Sequence, residues 1–288
     1  MKQVILSMDI EDWYHLDYFD KTQCDKNYSM LDGINVYREL LLINEIKSSF
    51  FILGELAKPL KTIIRELSQE KHDIGSHGWD HLRPLKMTLP QFSNDLLKSK
   101  NIIENIIGTQ VEGYRAPCFS MNRSRLDLVK KTGFKYDSSR IAFKEHPIYG
   151  QINIDGYEVI SNNIFKDEDF FEFQISTQKI LGKNIPVSGG GYLRLFPWLF
   201  MGRLIDYYLT YNELFVFYIH PFEFSTKPPP PFPASTIGYN KTRFSLGRST
   251  VQRKFAELIS LLKSKGFRFT TFSTLRNELL EKKTVYAE

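Results

Sequence analysis

Cysteine is scarce. Cys24 and Cys118 are the only two in 288 residues, which excludes a disulfide-stapled scaffold and permits a reducing compartment. Long apolar runs are missing too. The most apolar stretch, Tyr192–Tyr211, contains Arg194, Arg203 and Asp206, and Pro197 would kink it. It fits an amphipathic, aromatic-rich helix at a surface better than a bilayer span. At the start of the chain, Val4–Leu6 is too short for a signal-peptide core, and acids follow at once. No dense Lys/Arg run is present, which argues against a nucleic-acid partner. The excess of 38 basic over 33 acidic residues is mild and permits an anionic partner without demanding one. There is no internal repeat and no long linker. With 42% hydrophobic and 25% charged residues, the chain is neither disordered, collagen-like nor a coiled coil. At this length it needs no disulfide or metal merely to fold.

The remaining pattern alternates strand and helix. Val4–Met8, Ser48–Gly54, His72–Ser76, Glu112–Arg115, Phe134–Asp137, Leu214–Ile219 and Arg268–Phe272 read as strands or short extended pieces. Between them, Ile34–Ile46, Pro59–Gln69, Leu89–Ile107, Arg123–Thr132 and Arg253–Lys265 carry apolar residues at helical spacing. This βα order predicts an α/β fold with a mostly parallel sheet or barrel. Residues 138–190 are irregular, and Lys227–Pro233 is a stiff polyproline connector. One domain over 1–288 is expected, with an elaborated middle at about 138–213 and a C-terminal helix-strand extension at about 234–288.

Polar residues collect where the strands end, which is where a parallel barrel keeps its chemistry. Asp9, Glu11 and Asp12 follow the first strand. Three carboxylates so close repel one another, so a cation should offset them. His77 and His81 are four apart in GSHGWDH, and one helical turn would bring both imidazoles to one ion. A carboxylate, Glu11 or Asp12, would complete a two-His, one-carboxylate set suited to zinc and its neighbours. Arg115 could hold a carboxylate in place. His220 follows a strongly apolar strand, and Asp137 could orient that histidine and raise its pKa. His15, His72 and His146 show no partner pattern. The SGGGY run at Ser188–Tyr192 lacks the Lys-Ser/Thr of a phosphate loop and more plausibly lets backbone pass close to something.

The ordered set MDIED, SHGWDH, YRAPC, YDSS and IHP resembles the polysaccharide deacetylases, carbohydrate esterase family 4, with the NodB-homology domain. GGGYLRLFPW, IHPFEF and STIGYNKTRFSLGRSTVQRKF look like the subgroup associated with exopolysaccharide and O-antigen loci. The resemblance implies a distorted (β/α) barrel of roughly seven parallel strands. Position by position, it implies Asp9 as catalytic base, Arg115 as its holder, and His77 and His81 as metal ligands. It further implies the Cys118 N–H as oxyanion donor, Asp137 as the acid tuning the catalytic histidine, and His220 as that histidine. Two departures stand out. Ile10 replaces the usual second Asp, so the carboxylate ligand must be Glu11, favoured by register, or Asp12. Cys118 stands where an aromatic is usual.

The expected reaction is metal-assisted removal of N-acetyl groups from amino sugars of a cell-surface glycan or its precursor, within polysaccharide biosynthesis. The expected cofactor is a divalent ion, Zn²⁺ first, with Co²⁺, Ni²⁺ and Mn²⁺ open. Trp13, Tyr14 and Trp79 are the expected sugar-stacking aromatics. Deacetylation of small non-glycan amides, and glycoside hydrolysis by paired carboxylates, stay as alternatives. The expected partner is an N-acetylated saccharide, with a lipid link and the oligomeric state left open. The expected location is the cytoplasm, with peripheral contact at the inner membrane face left open.

Overall fold

The computed structural model describes residues 2–142, 148–180 and 182–285. Among the described residues there are twelve strands: β1 (Gln3–Ile10), β2 (Ser49–Ile52), β3 (Asp73–Ser76), β4 (Gly113–Tyr114), β5 (Tyr136–Asp137), β6 (Glu158–Ser161), β7 (Ile164–Asp167), β8 (Phe170–Phe173), β9 (Thr177–Ile180), β10 (Lys183–Pro186), β11 (Leu214–Ile219) and β12 (Arg268–Thr270). The main sheet runs β11-β1-β2-β3-β4-β5-β8-β7-β6, and β12 also pairs with β1. From β11 to β8 every neighbour is parallel; β7 and β6 add an antiparallel edge. The β9–β10 hairpin stands apart. Beyond β8, Ser176 accepts the Val216 N–H through its hydroxyl, and Ser188 O accepts from Tyr218, so the chain returns toward β11 and the sheet curls into a half-barrel.

Strand periodicity sorts the side chains into two layers. Val4, Leu6, Met8 and Ile10 of β1 face a core shared with the helices, as do Phe50 and Ile52 of β2 and Phe215, Phe217 and Ile219 of β11. The opposite parity fills the inside of the curl with Ile5, Phe51, Tyr136, Phe171, Phe173, Val216 and Tyr218. Near the amino ends of the strands this interior is closed by Phe272 and Leu275 of the last helix, Phe272–Val285. Phe272 N–H is anchored on Ser49 Oγ, and Ser273 Oγ donates to Asp73. The carboxyl ends stay open. The inward parity places Asp9 near the end of β1 and, continued past the strands, leads to Glu11, His77, Arg115 and His220.

Several expected elements keep their bounds closely; Leu89–Ile107 and Leu214–Ile219 match to the residue. The apolar stretch Tyr192–Tyr211 is two helices, Gly190–Leu195 and Trp198–Tyr211, broken at Pro197. The irregular middle supplies β6 to β10, including β8, which completes the parallel run. Among the described residues, no helix is long and apolar enough to cross a membrane.

Candidate active site

Arg115 anchors the site. It is wholly buried, and its Nη1 lies 2.7 Å from Asp9 Oδ1 and 2.8 Å from Ser7 Oγ. Nε and Nη2 donate to Ser138 O and Ser138 Oγ, and the guanidinium rests 4.2 Å from the centre of the Phe51 ring. These bonds fix the guanidinium plane, so Asp9 is presented in one orientation.

Glu11 lies beside Asp9 on the same inward parity. One ligand atom from each of Glu11, His77 and His81 falls within 4.8 Å of the others, and all three residues are buried. His77 Nδ1 is 2.8 Å from Arg115 O. A carbonyl can only accept, so Nδ1 carries the proton and Nε2 is left with its lone pair toward the cluster. Burial pushes the His77 imidazole down to about 4, which keeps it neutral, as a ligand must be. Glu11 Oε2 sits 2.6 Å from His81 Nε2 without hydrogen-bond geometry, an orphaned carboxylate oxygen in a buried site. Burial opposes ionisation of Glu11, but the surrounding His81, His220 and His77 pull its carboxyl far below the usual range. An anionic oxygen beside the neutral His77 imidazole and the His81 ring fits a divalent cation.

His81 does not share a helical turn with His77. Gly78 has φ +79° and His81 φ +62°, so a loop, not a helix, brings the two rings to 5.3 Å between centres. Cys118 and Phe119 also have positive φ, at 53° and 52°. Such conformations cost on the order of 1–3 kcal/mol each and tend to gather at working sites. His81 also lies near Asp17 and Cys118 in a second trio. There, Lys21 and Arg83 already hold Asp17, and burial pushes the Cys118 thiol up, so that trio is the poorer cation site.

His220 completes the floor. Its Nε2 is 3.3 Å from Glu11 Oε1, and its Nδ1 is 3.1 Å from Glu223 Oε2. Burial works against a charged imidazole. The Glu223 hydrogen bond and the charges of Glu11, Glu223 and Asp9 outweigh it and push His220 up to about 9. Glu223 is in turn held by buried Arg194, Nε to Oε1 3.2 Å. Gly190 makes room for this pair: a Cβ there would lie 2.1 Å from Glu223 Oε2. That is the close backbone approach expected of the SGGGY run.

Five expected assignments need correction. Asp12 is not in the cluster; the chain turns after β1, and Oδ1 accepts from Trp13 N–H and Met30 N–H as a helix cap. Asp137 is not the partner of His220. It has the opposite strand parity from Tyr136, so it faces away from the cavity, binds Ser139 and lies across from Glu172. Glu223, one short turn after His220, takes the place expected of Asp137. Trp13 is fully buried and donates Nε1 to Tyr28 O. Tyr14 and Trp79 do not line the cavity; Tyr14 lies against His15, and Trp79 has Lys98 Nζ 3.4 Å above its ring. The aromatics that do line it are Tyr18, Phe119, Tyr149, Tyr192, Tyr218 and Phe222. Cys118 lines it, with its Sγ 3.7 Å from Asp17 Oδ2. His15 and His72 are structural, bonded to Glu55 and to Ser48 N–H, and His146 lies outside the described residues. The cavity is about 110 Å³, room for an acetamido group with a ring at the mouth.

A family model described as polysaccharide deacetylase matches residues 35–136, and one described as a domain of unknown function, DUF3473, matches 138–277. A peptidoglycan deacetylase of Helicobacter pylori is 29% identical over 120 residues, 42% of this chain and 41% of that protein. A chitooligosaccharide deacetylase of Azorhizobium caulinodans is 26% identical over 98 residues, 34% and 47% of the two chains. These matches span less than half of each relative's own length. Among solved structures, a Mycobacterium smegmatis protein assigned to the polysaccharide deacetylases superposes with a TM-score of 0.64 at 16% identity, over 98% of this chain and 91% of that one. A CE4-family pseudoenzyme from Bacillus anthracis gives 0.55 at 12%, over 96% and 66%. Fold and strand-end site thus define a NodB-homology half-barrel. Over residues 35–136 the chain is similar to the polysaccharide deacetylase family, and its fold is similar to that of a carbohydrate esterase family 4 protein.

Proposed function

We propose that this protein is a metal-dependent N-deacetylase acting on an amino sugar of a glycan or glycan precursor. One observation carries the reading. The Glu11–His77–His81 cluster lies between a carboxylate held by a buried arginine and a histidine held by a buried glutamate. A divalent cation held by Glu11, His77 and His81 would supply Lewis-acid chemistry at the amide carbonyl and the attacking water. Asp9 takes a proton from that water, and Arg115 keeps Asp9 aimed. As charge builds on the carbonyl oxygen, the Cys118 N–H donates to it. His220, protonated at neutral pH, gives its proton to the nitrogen as the C–N bond breaks. Water is consumed; acetate and a free amine leave. Positioned acid and base groups each contribute about 10²–10⁴-fold. The relatives' names, peptidoglycan and chitooligosaccharide deacetylases, support a glycan over a small amide.

The test is acetate release from chitooligosaccharides by purified protein, before and after chelation and after Zn²⁺ is restored. Release should vanish on chelation, return with metal and be lost in Asp9→Asn. Release that survives thorough metal removal, or that Asp9→Asn retains, rejects the mechanism.

A further inference from the structure

The charges around the cavity do not all cancel. Asp9 has Arg115 at 2.7 Å, and Glu223 has Arg194 at 3.2 Å. Asp17 has Lys21 and Arg83, each at 3.1 Å, and Glu11 is ringed by imidazoles. Arg243, on the helix Gly238–Ser245, also lines the cavity. Among the described residues no carboxylate lies within salt-bridge distance of it. Arg243 is half-buried, and its guanidinium lies 4.6 Å from the centre of the Tyr18 ring. Its backbone is fixed independently, since Arg243 O accepts from Arg194 Nη1. The side chain is thus a cation held against a tyrosine-lined wall, with its donors uncommitted to any protein anion. The charge reaches the hydroxyls of Tyr18, Tyr149 and Tyr192, where it works against the upward push of burial.

We propose that Arg243 makes the cavity a reader of acidic amino sugars: the acetamido group enters toward Asp9 and His220, and a carboxylate or phosphate on the same substrate binds the Arg243 guanidinium. The proposal rests on the deacetylase reading for the acetamido end and on geometry alone for the acidic end. A planar guanidinium with several uncommitted N–H donors matches a carboxylate or a phosphate in two-point bonding. Stacking on Tyr18 holds its plane, which lowers the entropy lost on binding. A neutral sugar would leave the guanidinium without an anion in a half-buried place, so the site favours charged substrates by subtraction as well as by attraction.

The test compares acidic with neutral N-acetylated ligands in wild type, Arg243→Gln, Arg243→Lys and Lys241→Gln. Lys241 is exposed on the same helix and is not among the residues lining the cavity, so it controls for net charge. Acetate release is followed with chitotetraose, with a tetrasaccharide alternating N-acetylglucosamine and glucuronate, and with N-acetylglucosamine 1-phosphate. Calorimetry measures the Kd of each ligand. The ratio of acidic to neutral kcat/KM should fall about 10–100-fold in Arg243→Gln, mainly through KM, as expected for one lost charge-assisted bond. Arg243→Lys should fall between, and Lys241→Gln should keep the wild-type ratio. Preference for the glucuronate ligand assigns a carboxylate, and preference for the sugar phosphate assigns a phosphate. An acidic-to-neutral ratio unchanged by Arg243→Gln overturns the proposal while leaving the deacetylase reading intact. If no ligand releases acetate, that reading fails and the Kd values decide: acidic ligands binding no better than neutral ones, or equally well to Arg243→Gln, overturn it.

Discussion

Glu223→Gln separates the chemistry of the site from its scaffold. Glu223 is buried between two cations, Arg194 on Oε1 and His220 on Oε2. An amide has one oxygen, so it presents an acceptor at only one of these two positions. Removing one partner of a buried ion pair costs about 3–5 kcal/mol. Arg194 keeps bonds to the carbonyl oxygens of Arg243, Phe244 and Leu246, so the lower end, ~3 kcal/mol, applies. For a chain of this size that is a Tm lower by roughly 6–12 °C. The second effect is on proton supply. His220 stands at about 9 because Glu223, with Glu11 and Asp9, outweighs burial. The raised value means that the folded state holds a proton the unfolded state has released. This stabilisation is complete below about pH 6.5 and is lost as pH rises through about 9. Glu223→Gln should therefore narrow the stability gap to wild type between neutral pH and pH 9.5. It should also move the alkaline limb of the kcat profile to lower pH. At pH 8 the loss in kcat should be about 100-fold, and smaller at pH 6. Thermal melts and acetate release across pH 5.5–9.5 read both. An unchanged alkaline limb together with a wild-type Tm would refute the reasoning, since neither buried contact would then matter.

Other perturbations address separate parts of the structure. Glu11→Ala and His77→Ala should each weaken Zn²⁺ binding by at least about 100-fold in equilibrium dialysis; full-affinity binding in both would place the ion elsewhere. Gly190→Ala should cost about 1–3 kcal/mol, because its Cβ would lie 2.1 Å from Glu223 Oε2 and 2.6 Å from Ile219 Cγ1. Gly191→Ala, with open space around it, should change Tm little, and equal losses in the two variants would contradict the packing argument. Burial pushes Asp137 up to about 6 and Glu172 well above its ordinary value. The folded state thus holds protons that the unfolded chain releases near pH 4, and stability falls as pH rises from there through about 6 and beyond. Glu172→Gln keeps an acceptor for the Arg140 N–H and should raise Tm by roughly 2–6 °C at pH 8 while matching wild type near pH 4. The same Tm difference at both pH values would rule out the titration argument.

The parallel sheet was legible because β1, β2 and β11 are short apolar blocks separated by helices of clear 3.6 periodicity. Asp9, Glu11, His77, Arg115 and His220 were legible for a related reason. Asp9 lies near the carboxyl end of a strand and the other four follow one, and the parity of each faces inward. The same parity, counted along Tyr136-Asp137-Ser138, sends Asp137 outward, although it too sits at a strand end. Glu223 left a signal in FYIHPFEF, an acid three residues after a histidine inside an apolar run, where only a buried partner can stabilise a charge. Asp12 was ambiguous because a carboxylate at a strand end can serve an ion or cap the next helix, and sequence does not give the turn angle. The cavity aromatics were hidden for another reason. Tyr18 and Tyr149 come from loops and Tyr192 from the short helix Gly190–Leu195, segments distant in sequence, and nothing local distinguishes them from Trp13, whose ring is spent on packing.

Arg194 ties two parts of the site into one unit. The guanidinium that steadies Glu223 also clamps the backbone of the segment carrying Arg243, through three carbonyl oxygens. Any drift of that segment is relayed to the proton donor, so substrate choice and turnover are not free to evolve apart. Redesigning the mouth by transplanting residues 238–247 from a relative would succeed only if the graft presents those carbonyls in the same place. Side-chain exchanges that leave this backbone untouched are the safer route to a new specificity.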